Sequence, residues 1–387
     1  MPDLAALRHI VDARQPRFLA ELETLVNVDC GSYTFEGVNR VADFVVASLT
    51  ELGAEVRRIP HEPTDGTQLG DLVIGRLDGD GPRLMLIGHM DTVFDPGTAA
   101  ERPYRTEGDI AHGPGVTDMK AGLLAGLHAI AALHEAGVRP SITFVANPDE
   151  EIGSTFSGPF IRQLAPEHDV ALVLECARAN GDIVSARKGI ADYHMTITGR
   201  AAHAGVEPEK GRSAILEAAH QVIALHALNG RWPTVTVNAG VIHGGTRPNV
   251  VAERCELQVD IRASTADAFD AAAAEVERLA STSSVADVAI DLRRIAGHPP
   301  MEKTDASARL VDLAASIAGE LGFALTDAST GGASDANTTS ALGVPTLDGL
   351  GPVGGDDHSV DEWLDLGSIV PRTTLLAGLI GRIDRVL

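Results

Sequence analysis

The sequence predicts an α/β protein with a mixed, mostly parallel sheet covered by helices and an inserted, smaller α+β domain. Short runs rich in Val, Ile and Leu, bounded by Gly, Pro and Asp, are typical of buried strands. Such runs occur at 71–77, 84–88, 141–146 and 170–174. Helical patterns precede and separate them, which is the alternation of an α/β sheet. After Gly189 the pattern changes to the order of a second domain.

The elements of the first part follow from periodicity. Apolar residues recur at helical spacing over 4–27 and 36–52. A third helix is predicted over 121–136, ended by Gly137, because a glycine readily adopts the left-handed conformation that terminates helices.

The second part alternates strands and helices in the order βαββαβ, which is the ferredoxin-like arrangement. The predicted strands are 190–198, 234–242, 253–263 and 285–295, and the predicted helices are 212–228 and 265–280. This organisation predicts a catalytic domain of two segments, 1–188 and 299–387, divided by an insert at 189–298.

The last segment begins with a helix over 303–321. A glycine-rich loop follows at Thr330-Gly331-Gly332-Ala333-Ser334-Asp335, then an apolar run at 345–350 and a loop over 351–359. A final helix is predicted from about Asp361 onward.

Composition limits the classes of partner. The net charge of −23 argues against nucleic-acid binding, which normally relies on a basic surface. Three cysteines without C-x-x-C spacing fit a reducing compartment and a cytoplasmic location. The N-terminus lacks the apolar core of a signal peptide, and the chain has no run of about 20 unbroken apolar residues, so no membrane association is expected.

Residues able to bind metal follow the predicted strands, where the crevice of an α/β sheet lies. His89, in G-H-M-D-T-V, is a candidate ligand, and Asp91 could accept the proton of its other ring nitrogen. Taken alone, such a histidine is more often structural. Asp118, in G-P-G-V-T-D-M-K, is either a helix N-cap or a carboxylate that bridges two metals.

A pair of acids follows the strand at 141–146, in N-P-D-E-E-I-G-S. Adjacent acids usually lie on solvated faces, but these follow a buried strand and precede a glycine. We assign Glu151 to metal and Glu150 to proton transfer. Glu175 ends an apolar run, where an unpaired carboxylate would be costly and a cation would be a suitable partner. His358, in D-D-H-S, is a weak signal by itself.

These five segments, in this order, resemble the zinc-dependent carboxypeptidase and aminoacylase family, over nearly the whole chain. The pattern is most similar to glutamate carboxypeptidase, which also has a stretch like I-T-G-R-A-A-H-A-G at 197–205. N-acetylornithine deacetylase and succinyl-diaminopimelate desuccinylase belong to the same family. The resemblance implies a zinc-exopeptidase type of catalytic domain, with the insert as a lid and dimerisation domain.

The resemblance also implies roles. One zinc would take His89 and Glu175, the other Glu151 and His358, with Asp118 bridging. Asp91 would orient the ligand histidine, Glu150 would be the general base and acid, and a histidine of the insert would stabilise the oxyanion, often across a dimer. The residue that matches this histidine is His203.

The positions that match the family's substrate contacts are Asn249 and Arg262, while Gly331 and Gly332 would shape the pocket through backbone N–H groups. The chain departs from the glutamate carboxypeptidase pattern at His298, which stands where that group has a carboxylate-binding arginine. Histidine carries a weaker, pH-dependent charge, so the departure concerns glutamate specificity rather than the metal chemistry.

We therefore expect a hydrolase with two Zn²⁺, or Co²⁺ or Mn²⁺ in their place, that cleaves an amide in a small peptide or N-acyl amino acid. The alternative within enzymes is a deacylase of the N-acetylornithine or succinyl-diaminopimelate type. The alternative of another class is a non-catalytic homologue that binds metal or ligand. We further expect a homodimer formed through the insert.

Overall fold

The computed structural model describes residues 3–63 and 66–387, which form two compact units. Unit 1 contains the described residues up to Ser185 together with 303–329 and 334–387. Unit 2 contains 186–302 and the short stretch 330–333. Each unit has its own hydrophobic core. The sequence-based boundaries at 188/189 and 298/299 stay predictions.

Helices and strands alternate along most of the chain. The helices are α1 (Leu4–Val26), α2 (Phe35–Glu51), α3 (Thr98–Glu101), α4 (Ala121–Glu135), α5 (Gly158–Leu164), α6 (Ala214–His226), α7 (Ala266–Ala280), α8 (Asp305–Leu321), α9 (Asp335–Ala341) and α10 (Ile369–Ile380). The strands are β1 (Glu55–Ile59), β2 (Leu72–Leu77), β3 (Asp80–His89), β4 (Arg105–Glu107), β5 (Ile110–His112), β6 (Pro140–Asn147), β7 (Val170–Val173), β8 (Ile183–Arg187), β9 (Gly189–Thr198), β10 (Thr236–Gly244), β11 (Arg254–Ala263), β12 (Ala289–His298), β13 (Asp327–Thr330), β14 (Thr346–Leu347), β15 (Gly354–Gly355) and β16 (Trp363–Asp365).

The main sheet of unit 1 is mixed and confirms the predicted fold class. Its order is β1-β2-β6-β3-β7-β14. The pairs β6–β3, β3–β7 and β7–β14 are parallel, whereas β1 and β2 join antiparallel at one edge. Strand β3 therefore lies between the two parallel strands that end beside it, and its last six residues are buried.

Helix α4 belongs to the core of unit 1. The stretch Val116–Glu135, which includes this helix, is long and apolar enough to cross a membrane by length and composition alone. However, 94% of its most apolar window is buried inside the protein. Such burial is typical of a core helix, and one helix of this kind is weak evidence for a membrane span.

The sheet of unit 2 has the order β10-β11-β9-β12, with all neighbours antiparallel. In the numbering of the insert this is 2-3-1-4, which is the ferredoxin-like order and confirms the predicted βαββαβ pattern. Strand β12 begins four residues later than predicted, because Ala289 is the first residue to pair with the end of β9.

The prediction of a final helix from about Asp361 is wrong. Residues Trp363–Asp365 form β16, which pairs with β5, and the helix begins only at Ile369. The partner strand is about 250 residues away in sequence, so local periodicity does not reveal it. This pairing brings the loop that precedes β16 next to the turn that follows β5.

Candidate metal centre

Three neighbouring strands bring candidate ligands to one edge of the main sheet. His89 is the last residue of β3, and it is in register with Asn147, the last residue of β6. Glu150–Ile152 is a short 3₁₀ turn just after β6, and Glu175 lies two residues beyond β7. Because parallel strands end at the same edge, these side chains converge.

Asp118 lies between two histidines. Its Oδ1 is 3.1 Å from Nε2 of His89, and its Oδ2 is 3.0 Å from Nε2 of His358. The same nitrogen of His89 is 3.6 Å from Oε1 of Glu175. The same nitrogen of His358 is 3.1 Å from Oε2 of Glu151. The five predicted ligands are thus brought together, in two groups that share Asp118.

Asp118 is not a helix cap. It lies in the turn Val116–Lys120 with a non-helical backbone, and α4 has no side-chain cap. The turn is instead held by Glu362, whose buried carboxylate accepts hydrogen bonds from the backbone N–H groups of Gly115 (2.8 Å), Thr117 (2.9 Å) and Asp118 itself (3.1 Å). Glu362 therefore fixes the backbone from which the shared carboxylate projects.

Asp91 holds the acidic turn as well as the histidine. Nδ1 of His89 is 3.0 Å from the backbone oxygen of Asp91 and 3.4 Å from its carboxylate. That carboxylate also accepts the backbone N–H groups of Glu150 (3.1 Å) and Glu151 (3.2 Å), and the hydroxyl of Ser32 (2.7 Å). One buried residue thus orients a ligand histidine and the segment that carries both glutamates.

A second buried network of hydrogen bonds supports the segment that carries Glu150 and Glu151. Asn147 donates to Asp335 (2.6 Å) and to Ser154 (2.9 Å), and the hydroxyl of Ser154 donates to Asp335 (2.7 Å). Asp149 accepts the backbone N–H of Phe156 at 2.6 Å. These contacts join both ends of the turn that contains Glu150 and Glu151.

The charges of this centre shift its pKa values strongly. Burial alone would lower the pKa of His89, but the charge of Glu175 and a hydrogen bond with Asp118 raise it well above its ordinary value. Burial raises the pKa of Glu175 to about 7 and that of Glu150 well above its usual range. Hydrogen bonds with Asp118 and Glu151 raise the pKa of His358 to about 11.

These residues fit divalent metal ions. Among residues 3–63 and 66–387, the ion-pair partners of Asp118, Glu151 and Glu175 are the two histidines. A set of buried carboxylates without Lys or Arg partners is stable only with another cation. Imidazole nitrogens and carboxylate oxygens are the donors that zinc and similar ions take.

Distances alone do not distinguish the metal ligands from Glu150, the candidate general base. Donor atoms of His89, Glu150 and Glu175 lie within 4.8 Å of one another, as do those of His89, Asp118 and Glu151. Glu150 is therefore as close to the first group as a ligand would be. Its separate role rests on chemistry and stays a prediction.

Two of the predicted residues of unit 2 lie on adjacent loops. The segments of His203 and Asn249 are side by side: the N–H of Ala204 donates to the backbone oxygen of Asn249 at 3.0 Å, and His203 forms a bridge with Val250. Nδ1 of His203 accepts the N–H of Gly205 at 3.2 Å. The other ring nitrogen, Nε2, takes no part in that bond.

The remaining predicted residues of unit 2 lie at one end of its sheet. Arg262 on β11 and His298 on β12 both pair with Ile190 of β9, so their side chains share one face. Arg262 also donates to the carbonyl of Gly331 (2.8 Å) and pairs with Asp260 (3.2 Å).

A second arginine, besides Arg262, also contacts the glycine-rich loop at 330–335. Arg187, which is buried, donates to the carbonyl of Gly332 at 3.2 Å. Gly331 and Gly332 are thus fixed through their carbonyl groups, by the guanidinium groups of Arg187 and Arg262. Two cationic side chains therefore contact this loop in unit 2.

Sequence reasoning missed Glu362, Ser32, Asn147 and Asp335 as supporting residues. Their contacts join segments that are 59 to 247 residues apart, and no spacing rule predicts such pairs. A usable signal exists only for Asn147, a polar residue that ends a buried strand.

Comparison with known proteins shows the family to which this chain is similar. Residues 85–382 match the peptidase family M20/M25/M40. The chain belongs to this family. The predicted resemblance is therefore confirmed, and the protein is a hydrolase of the M20 type, whose members are metal-dependent enzymes that act on peptides or acyl amino acids.

Individual M20 relatives support the same conclusion. Carboxypeptidase G2 of Pseudomonas sp. strain RS-16 is 33% identical over 372 residues, which cover 95% of this chain and 89% of the relative. Succinyl-diaminopimelate desuccinylase of Leptothrix cholodnii is 28% identical over 84% of this chain and 89% of its own. The crystal structure of aminopeptidase PepT from Bacillus cereus superposes with a TM-score of 0.78 at 25% identity, covering 95% of this chain and 98% of that one.

Proposed function

We propose that the protein is a dizinc hydrolase that cleaves an amide bond next to a free carboxylate, in a small peptide or an N-acyl amino acid. The observation that carries the proposal is the position of Asp118 between two groups of donors, His89 with Glu175 and His358 with Glu151. Two metals that share one carboxylate need this division of ligands.

The residues around the centre supply the rest of the chemistry. When bound, the metal ions lower the pKa of a water molecule and polarise the amide carbonyl. Glu150 takes the proton of the attacking water and then delivers it to the leaving amine. The Asp91 carboxylate accepts the backbone N–H of Glu150 and so keeps Glu150 in place. Asp91 also keeps His89 oriented for metal binding.

Unit 2 supplies the candidates for substrate recognition. His203 would donate to the developing oxyanion, as the family resemblance implies. Asn249, Arg262 and His298 would bind the substrate carboxylate. Support for this role comes from the shared face of Arg262 and His298, where a guanidinium group can bind a carboxylate through two hydrogen bonds.

We also propose that the protein is a homodimer formed through unit 2. The outer face of α6 exposes Ile215, Leu216 and Ile223, and the edge strand β10 exposes Ile242. An exposed apolar helix face beside the outer edge of a sheet is typical of an interface. Light scattering tests this, and a monomer would contradict it. The cytoplasmic location stays a proposal that rests on cysteine usage.

The test is hydrolysis of a panel of dipeptides, N-acetyl amino acids and N-succinyl amino acids by the Zn²⁺-loaded protein and by Glu150→Ala. The parent should release amino acids. The variant should retain its metal and lose activity by several orders of magnitude. Hydrolysis confined to the N-acetyl or N-succinyl compounds, with the dipeptides left intact, would favour the deacylase alternative. Relatives named as a desuccinylase and a deacetylase support this alternative. Full activity of Glu150→Ala would contradict the mechanism.

A further inference from the structure

Glu175, one of the candidate metal ligands, lies beyond the end of its strand and is held there by other contacts. Strand β7 ends at Val173, and Glu175 is the second residue after it. Oε1 of Glu175 is 3.6 Å from Nε2 of His89, so the backbone at this point sets the spacing of one ligand group. The contacts that fix this backbone therefore affect how tightly that group can bind an ion.

A loop that follows β14 packs directly against the backbone of Glu175. The N–H of Gly351 donates to the backbone oxygen of Glu175 at 2.8 Å, and the N–H of Ala177 donates to that of Pro352 at 3.1 Å. A side chain at Gly351 would meet the backbone oxygen of Glu175 at 2.9 Å. This close approach requires a residue without a Cβ atom. The loop at 349–352 is thus in tight contact with the Glu175 segment.

Arg372 of α10 holds the 349–352 loop through its carbonyl groups. Its Nε donates to the oxygen of Gly351 at 3.0 Å, and its Nη2 donates to that of Gly349 at 2.5 Å. Its Nη1 donates to the oxygen of Gly181 at 3.0 Å, in the turn that follows the Glu175 segment in sequence. One guanidinium group therefore joins the loop that packs against Glu175 to the turn that comes after it.

The environment of Arg372 is unusual for an arginine. The residue is 3% exposed, and among residues 3–63 and 66–387 it forms no ion pair with a carboxylate. Buried arginines are normally paired, because an unpaired buried charge is costly. Burial lowers the pKa of Arg372 to about 10, so the group is still charged at neutral pH.

The geometry of the guanidinium group explains why an arginine is suited to this place. Its five N–H donors lie in one plane at fixed angles, so a single side chain can reach three carbonyl groups in different loops. The helix that carries it is also well fixed, because every residue of α10 except Pro371 is buried. Close-packed core helices move little. The backbone of Glu175 is thus tied, through Gly351, to a core helix.

From this chain of contacts we propose that Arg372 is a positioning residue for one of the two metal groups, that of His89 and Glu175. It acts through Gly351 on the backbone of Glu175 and not on the ion itself. The proposal rests on the proposed dizinc function and adds an asymmetry to it. Loss of Arg372 weakens the binding of one ion and leaves the binding of the other largely unchanged.

The test is calorimetric titration of the metal-free protein with Zn²⁺ in two backgrounds. His358→Ala leaves the group of His89 and Glu175, and His89→Ala leaves the group of His358 and Glu151. Arg372→Lys keeps the charge but not the planar set of donors. It should lower the Zn²⁺ affinity at least about tenfold in the His358→Ala background. In the His89→Ala background the affinity should stay within about threefold.

Two controls separate positioning from a general loss of stability. Leu49→Ala removes a buried side chain of α2, so it should lower the midpoint of urea unfolding and leave the Zn²⁺ affinity within about threefold in both backgrounds. Arg309→Lys changes an exposed arginine that also donates to backbone carbonyl groups, those of Val386 and Asp305. It should match the parent in stability and in Zn²⁺ affinity.

Gly351→Ala tests the same contact without any change to Arg372. Its Cβ would meet the backbone oxygen of Glu175, so this variant should reproduce the loss of affinity in the His358→Ala background. It decides the question if Arg372→Lys does not fold. The proposal is overturned if neither change weakens Zn²⁺ binding in that background, or if Arg372→Lys weakens it equally in both backgrounds.

A parent that binds a single equivalent of Zn²⁺ would contradict the dizinc proposal but not the role of Arg372. That role is then decided on the single equivalent, which Arg372→Lys and Glu175→Gln should weaken to a similar extent. An unchanged affinity in either variant would overturn it.

Discussion

Replacement of Glu362 tests whether the turn that carries Asp118 is held as the structure indicates. The Glu362 carboxylate accepts three backbone N–H groups, and it is 1% exposed. A hydrogen bond to a charged group contributes about 1.5–3 kcal/mol. Glu362→Gln keeps the shape and one acceptor oxygen but turns an amide N–H₂ toward an N–H donor. We expect it to lose about 2–4 kcal/mol of unfolding free energy, and Glu362→Ala to lose more.

The same change should weaken metal binding, because Asp118 would no longer be fixed between His89 and His358. Replacement of supporting residues of this kind typically lowers metal affinity about 10–100-fold. The assays are isothermal titration of the metal-free protein with Zn²⁺ and chemical denaturation with and without the metal. Measurement at pH 8.5 is appropriate because burial raises the pKa of Glu362 to about 7, against the three N–H bonds that lower it.

The control for this prediction is Glu167→Gln. Glu167 is exposed and pairs with the exposed Arg76, away from the candidate ligands, and exposed pairs contribute about 0–1 kcal/mol. Its stability and Zn²⁺ affinity should match those of the parent. If Glu362→Gln also matches the parent in both quantities, the Glu362 carboxylate does not hold the turn that carries Asp118.

Three further predictions concern the metal, packing and pH. His89→Ala should lose at least one metal by elemental analysis, and chelation of the parent should lower its melting temperature while leaving that of the variant less affected. Gly122→Ala should destabilise by at least about 2 kcal/mol in urea, since its Cβ would meet a backbone oxygen at 1.8 Å, whereas Gly319→Ala, with open space around it, should not. Burial raises the pKa of Asp327, but the hydrogen bonds from Lys303 and Ser185 and the charge of Lys303 together outweigh it and lower the pKa. The contribution of Asp327 to stability is therefore present above about pH 4 and lost below. Lys303→Met should therefore flatten the acid limb of the stability curve, and an unchanged limb would contradict this.

The fold was largely predictable because its strands are short, apolar and separated by turn residues. The strands that end at His89 and just before Glu175, and the order of the insert, follow from such local patterns. The final helix was misplaced because the residues from Trp363 onward form a strand through pairing with β5. A pairing between segments so far apart leaves no periodic trace in either one.

The candidate metal centre was likewise only partly predictable from the sequence. The ligand types were visible from the sequence, since acids and histidines at strand ends are uncommon without a partner. The sequence did not show how Asp118 is oriented, because Glu362 looks like one more acidic residue in an acidic loop. Asp91 was predicted to orient His89, and its carboxylate also holds the turn of Glu150.

Titration of the metal-free protein with Zn²⁺, followed in parallel by calorimetry and by hydrolysis of an amide that the parent cleaves, tests the shared role of Asp118 most directly. We expect two bound equivalents, with activity that reaches its maximum only when both are present. Glu150→Ala should bind the same two equivalents without hydrolysis. Full activity in the metal-free protein, or saturation at a single equivalent, would contradict the assignment of Asp118 as a carboxylate shared by two ions.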